Sequence, residues 1–299
     1  MVQFSRGNER VVFTGDLGGG NSPLLGPTEA LPGVTWLAME SVYGDRTRPE
    51  DKDRREKLEN IIEDTAARGG TLLIPAFSTE RTQDLLYEIR NLMMEKRIPS
   101  MPVFVDSPLA EKITKAYLAC PDYFAPDIRT RIEGGEDIFA FPELTFVESA
   151  EESHKIENKP NPKIILAGSG MGGGGRVGTH QRYVLPDKNS TYLVAGYQAA
   201  GTPGRRLLEG EKQITLRGAK GIKESVQVNC KIESIFGYSA HMDGEALLEF
   251  ANKTSETVKE IFVVEGEPSS VSFLAQRIRD YLGVKAITPE AGDSATIDF

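Results

Sequence analysis

Short apolar runs that stop at an acid, a glycine or a turn recur along the 299-residue chain, with charged helical stretches between them. This alternation constrains the fold more than any other feature. Residues 10–16 (Arg-Val-Val-Phe-Thr-Gly-Asp), 34–40, 70–76, 103–105, 163–167 and 191–195 read as buried strands, as does Glu260 to Val264. Helices are predicted over 49–68 with Pro49 near the start, and over 80–97, 108–119, 243–253 and 269–282. Leu58, Ile61, Ile62 and Thr65 share one face of the first helix, and Leu85, Leu86, Ile89 and Leu92 point inward from the second. Strands alternating with helices imply βαβ units and a largely parallel sheet, hence an α/β fold. The pattern loosens over 120–162, where only a short strand near Phe146-Val147 and a turn at 157–162 stand out, and 213–236 read as β-rich.

Composition narrows the function. Apolar residues make up 39% and charged residues 26%, a globular balance. No run approaches the roughly 18 apolar residues of a membrane span, and the first ten residues lack a signal-peptide core. Cys120 and Cys230 cannot build a disulfide framework, so a cytoplasmic setting is expected. The net charge of −9 means that any nucleic-acid site needs a local basic cleft. Only three histidines, His154, His180 and His241, are present. A dinuclear zinc site built mainly from imidazoles cannot be assembled from them.

Several residues could carry chemistry. Asp16 and Glu40 each end a buried strand, a place suited to metal binding or proton transfer, although an isolated acid there is more often a turn or cap residue. His241, in Gly237-Tyr-Ser-Ala-His-Met-Asp243, has small neighbours that leave its imidazole accessible, with Asp243 placed to cap the next helix. Two glycine loops follow strands: Gly168-Ser-Gly-Met-Gly-Gly-Gly-Gly-Arg176, and Gly196-Tyr-Gln-Ala-Ala-Gly-Thr-Pro-Gly-Arg-Arg206. Each pairs backbone amides with arginine, which suits a phosphodiester as well as it suits two solvated loops. The first contains a formal G-x-G-x-x-G at Gly168, Gly170 and Gly173, with Asp187 near the ribose-binding spacing; its glycines run on where a helix should open, which weakens a dinucleotide reading. His154 lies in a charged stretch and is expected to face solvent, while His180 suits a phosphate contact or a structural role.

Taken in order, these blocks resemble the β-CASP branch of the metallo-β-lactamase superfamily, which includes RNA-processing endonucleases and RNase J. Phe13-Thr-Gly-Asp16-Leu-Gly is similar to the block bearing that family's metal-bridging aspartate. Met39-Glu40-Ser-Val-Tyr-Gly-Asp-Arg46 resembles the acidic block that opens the inserted β-CASP domain. Ile74-Pro-Ala-Phe-Ser-Thr-Glu-Arg-Thr-Gln83, Val105-Asp-Ser-Pro-Leu-Ala110 and the two glycine loops are similar to its internal blocks, and Tyr238-Ser-Ala-His241-Met-Asp243 to its Ser-Ala-His motif.

The resemblance implies a partial metallo-β-lactamase αβ/βα sandwich with an inserted β-CASP domain. Residues 1–44 would be a remnant of the first, 45–200 the β-CASP domain, and 201–299 the return with its RNA-specificity segment. It further implies that Asp16 and Glu265 bind metal, two zinc ions in the family, and that Glu40 orients His241 as general acid. Ser169, Gly170, Arg176, Gly201, Thr202 and Arg205 would bind single-stranded RNA. Three departures stand out. The family's H-x-H-x-D-H motif precedes the Thr-Gly-Asp block and is not in this chain, and Glu265 of Val264-Glu-Gly-Glu267 replaces a ligand histidine. Ser78-Thr-Glu80 also replaces a small, glycine-containing stretch. The expectation is therefore an RNA-cleaving zinc hydrolase in incomplete form. The alternative is a non-catalytic nucleic-acid-binding or scaffold subunit partnering an active relative. A second copy or a partner chain would supply the missing half. No membrane role is expected.

Overall fold

The computed structural model describes every residue except 19–21, 30, 48–52, 218–222 and 299. Pro49 and the glycines at 19 and 20 thus lie outside the described residues. The chain forms two compact units, Met1–Pro49 with Ala240–Phe299, and Glu50–Ser239.

The first unit opens with strands β1 (Val2–Arg6), β2 (Glu9–Phe13) and β3 (Trp36–Glu40). The second unit follows. It comprises α1 (Arg54–Ala67), β4 (Thr71–Pro75), α2 (Arg81–Met94), β5 (Val103–Asp106), α3 (Pro108–Leu118), α4 (Pro126–Glu133), β6 (Leu144–Phe146), α5 (Ala150–Lys155), β7 (Lys163–Ala167), α6 (Val177–Val184), β8 (Thr191–Val194), α7 (Pro203–Leu208), β9 (Gln213–Arg217), β10 (Lys223–Gln227) and β11 (Lys231–Ser234). The chain then returns to the first unit through α8 (Gly244–Thr254), β12 (Glu260–Val264), α9 (Pro268–Arg277), a π-helical turn at Ile278–Leu282 and β13 (Lys285–Ile287).

The first unit holds a five-stranded sheet in the order β1-β2-β3-β12-β13, parallel except for β1. Alternate residues Val12, Leu37, Met39, Ile261 and Val263 face one side and pack against Leu247, Phe250 and Ala251 of α8 and Leu274 and Ala275 of α9. The second unit holds an all-parallel sheet in the order β11-β8-β4-β7-β5-β6 and a β9–β10 hairpin. Its strands β4, β5, β7 and β8 are buried along their whole length, as the unbroken apolar runs predicted. Tyr192, Ile165, Leu73 and Phe104 form one core with Val177 and Val184 of α6 and with Ile214, Leu216 and Val226 of the hairpin.

Local chemistry sets the helix starts. Ser107, Thr202 and Asp243 each accept a backbone N–H from the first turn of α3, α7 and α8, and proline opens the first two of these helices. Ser149 and Glu152 form a reciprocal capping box on α5.

The structure departs from expectation at several points. Strand β1 has no buried face, so it carries no alternation to read. The loose stretch contains α4 and α5, which bury only Ile128 and Ser153 respectively. Residues 201–239, expected with the C-terminal return, belong to the second unit, because β11 adds in parallel to β8 and the hairpin enters that core.

Close backbone approach makes one glycine indispensable before β4. A Cβ at Gly70 would stand 1.9 Å from the carbonyl oxygen of Asn189. Gly70→Ala is expected to lower stability by about 1–3 kcal/mol in urea unfolding.

Candidate functional site

Three adjacent parallel strands bring their carboxyl ends to one edge in the first unit. Phe13 pairs with Ala38 and Val264 with Glu40, so the residues following β2, β3 and β12 emerge side by side. Glu40 ends β3, Glu265 follows β12 directly, and Asp16 lies three residues past β2. Ligands gather at such an edge because the loops leaving it are free of the sheet's hydrogen bonding.

Glu40 is fully buried. Its carboxylate accepts the backbone N–H of Leu17, a short contact, and the N–H of Val42 at 3.4 Å. Both of its oxygens lie 3.0 Å from Nδ1 of His241. A buried carboxylate that accepts from Nδ1 assigns the Nδ1 proton and leaves Nε2 as the nitrogen for exchange. The His241 side chain keeps 20% of its surface exposed. Its backbone bridges Gly18, Met242 donates to the Leu17 carbonyl at 2.8 Å, and Tyr43 meets the ring edge-on at 6.4 Å. Asp243 caps α8 through the Ala246 N–H at 3.0 Å, as its position suggested.

Asp16 and Glu265 are exposed. Glu265 sits at φ 57°, a left-handed backbone that histidine tolerates better than most residues. Burial, then the Asp16 and Glu40 carboxylates, hold its carboxyl above the usual value, with His241 opposing. Next to it a Cβ on Gly266 would stand 2.5 Å from Ser41 Oγ, which itself donates to the Val264 carbonyl at 2.8 Å. Zinc needs three or four converging donors. Among the described residues no group of three or more His, Cys, Asp or Glu side chains is placed to hold a metal ion. These residues therefore do not compose a zinc site by themselves.

The second unit brings the two glycine loops together. Gln198 donates to the Gly170 carbonyl at 3.1 Å, and the Gly204 N–H donates to the Met171 carbonyl at 3.1 Å. Ser169 follows a cis peptide bond from Gly168, Gly201 has φ 79°, and Thr202 caps α7. The two arginines are engaged within the unit. Arg176 donates to Asp106 at 3.0 Å and to the carbonyls of Ser149 and Glu148 at 2.6 and 3.1 Å. Arg205 pairs with Glu209 at 2.7 Å. Helix α6 opens only at Val177, and Asp187 bonds Ser190 and Asn189 in the turn behind it, unlike a dinucleotide fingerprint.

Sequence reasoning missed Asp106. This carboxylate is fully buried at the end of β5 and holds Ser153 Oγ at 2.5 Å and His180 Nε2 at 2.8 Å besides Arg176. Nδ1 of His180 meets the Tyr183 hydroxyl at 2.8 Å, so His180 is a core residue here. The strand-end position of Asp106 was the available signal, the same one that marked Asp16 and Glu40. His154 is exposed, as expected.

The fold is α/β, with acids and a histidine gathered at strand ends, and comparison with known proteins specifies the family. The Beta-Casp domain family matches residues 82–207, and the Zn-dependent metallo-hydrolase RNA specificity domain matches residues 225–289. Transcription termination factor FttA of Methanosarcina mazei is 31% identical over 283 residues, 93% of this chain and 44% of the relative. The FttA of Methanocaldococcus jannaschii is 30% identical over 282 residues, again 93% and 44%. Ribonuclease TTHA0252 of Thermus thermophilus is 31% identical over 268 residues, 89% of this chain and 59% of the relative. The chain thus spans about half the length of these relatives. It belongs to the β-CASP branch of the metallo-β-lactamase superfamily, as the order of its motifs implied. The matched RNA-specificity family is zinc-dependent by description. No helix among the described residues is long and apolar enough to cross a membrane.

Two outcomes follow from the geometry. Glu265 binds its proton more tightly folded than unfolded, so its contribution to stability is full below the ordinary value of 4.5 and is lost as pH rises through the raised one. Glu265→Gln should raise stability at pH 7 by about 0.5 kcal/mol, a figure reduced for solvent screening, and leave it unchanged below about pH 4 in paired thermal melts. Asp106→Ala strips His180 and Arg176 of a buried partner and should cost about 3–5 kcal/mol in denaturant unfolding.

Proposed function

We propose that this chain is the RNA-handling portion of an RNA-processing β-CASP nuclease and supplies the proton donor for phosphodiester cleavage. The observation that carries this reading is the buried Glu40 carboxylate against Nδ1 of His241, at an edge shared with Asp16. Glu40 holds the ring in one orientation and one tautomer. Protonated on both nitrogens, His241 gives its Nε2 proton to the leaving oxygen of the RNA chain as a water oxygen displaces that oxygen at phosphorus, and is left as the neutral Nδ1–H ring that Glu40 holds. Asp16 and Glu265 are this chain's candidate zinc donors, and because they do not enclose a metal alone, no step is assigned to one. Ser169, Gly170, Gly201 and Thr202 lie on the two joined loops and are proposed to contact single-stranded RNA. Arg176, turned toward Asp106, acts by shaping its loop.

The names of the relatives support this reading, since they describe a ribonuclease and a transcription termination factor. A second reading, a non-catalytic RNA-binding subunit that works with a second copy or a partner, draws support from Glu265 in a ligand histidine's place. One experiment separates the two. Purified protein is given single-stranded RNA and zinc, and binding and cleavage are both followed. Under the leading reading the protein cleaves, and His241→Ala slows cleavage by about 100-fold or more with binding retained. Undiminished cleavage by the variant removes His241 from the chemistry. Binding without cleavage by the parent chain, with zinc near zero in elemental analysis, establishes the second reading instead.

A further inference from the structure

Phe77 follows β4 at the carboxyl edge of the parallel sheet in the second unit, and 45% of its surface is exposed. A Cβ at Gly170 would stand 2.6 Å from the Phe77 ring, so glycine there lets the ring pack directly against the backbone of the loop that follows β7. The support is stiff. Thr82 Oγ1 donates to the Phe77 carbonyl at 2.7 Å, and Gln83 donates to the Ser78 carbonyl at 3.1 Å. The Ala76 N–H donates to the Ala167 carbonyl at 3.0 Å, and Gln198 ties down the Gly170 carbonyl. An exposed aromatic ring held this rigidly loses little conformational freedom when a flat ligand covers it.

The surroundings decide the kind of ligand. The ring packs on glycine backbone, and the residue after it, Ser78, pairs its hydroxyl with that of Ser107 at 3.1 Å. Polar neighbours of this kind suit a planar π-system carrying polar substituents better than an aliphatic protein side chain. The connections leaving β5 and β7 run to opposite sides of the sheet, toward β6 and β8, the topology at which open α/β sheets bind ligands. The chain's net charge of −9 also makes long-range attraction of phosphates weak. Stacking does not depend on charge and accepts any base.

We infer that Phe77 is a base-stacking platform, on which one nucleobase of a single-stranded RNA lies against the exposed ring face. This rests on the RNA-binding reading given above, and it adds the residue that grips a base.

The test uses the full chain and single-stranded RNA of about ten nucleotides, with 2-aminopurine placed at each position in turn. Stacking quenches 2-aminopurine fluorescence. The parent should quench it at one position, and Phe77→Trp should preserve both quenching and affinity. Phe77→Leu keeps an apolar contact with Gly170 but has no π face. It should abolish the quench and weaken binding by roughly 5- to 150-fold, the equivalent of about 1–3 kcal/mol per stacked base. Thermal melts confirm that each variant is folded. Binding by Phe77→Leu within two-fold of the parent with the quench intact overturns the platform. So does the absence of quenching at every position of RNA that the parent binds, whatever the variant does. Failure of the parent to bind RNA at all is a different result, and it overturns the RNA-binding reading itself.

Discussion

A carboxylate shut away from water must be matched by donors, and Glu40 is such a group at the end of a central strand. Its partners come from the Leu17 backbone and from His241, a residue 201 positions later in the chain. The need to satisfy that one charge ties the loop after β2, the end of β3 and the start of α8 into a single edge. Once they are tied, the order β2-β3-β12 places Glu265 beside them. The tight approaches at Gly266 and Gly244 follow from the same convergence. A Cβ at Gly266 would meet Ser41, and one at Gly244 would stand 2.9 Å from the Gly44 carbonyl oxygen.

The second unit uses the same device for a different end. Asp106 is also a buried strand-end carboxylate, and it draws in His180, Arg176 and Ser153. Here the histidine is fully buried with its carboxylate partner, whereas His241 keeps a partly open side chain. That difference in access separates a histidine that holds a loop from one that can exchange a proton. It also explains why an arginine beside a glycine loop need not face a phosphate, since its charge answers a buried acid instead.

Much of this was legible in one dimension. The strands that became β3, β4, β5, β7, β8 and β12 were marked by apolar runs, and α1 and α2 by helical periodicity, because burial on both faces or on one stripe leaves a pattern. Elements that bury little left none. Strand β1 is exposed throughout, and α4 and α5 each bury one residue, so their existence depends on caps and neighbours. The capping box at Ser149 and Glu152 was a readable sign of α5, although the charged stretch around it reads as plain solvent-facing chain. Asp106 was readable as a strand end and as part of the Val105–Ala110 block, but nothing near it in sequence names Arg176 or His180 as partners.

Side-chain type and spacing along the chain already carry the α/β class, the family and the residues that terminate strands. Which strand ends are neighbours, which histidine stays accessible, where Arg176 points, and that the Phe77 ring rests on Gly170 are set by the folded arrangement. Those outcomes depend on strand order and on the pairing of buried charges. Both join residues separated by tens to hundreds of positions, and no local pattern records such a pairing.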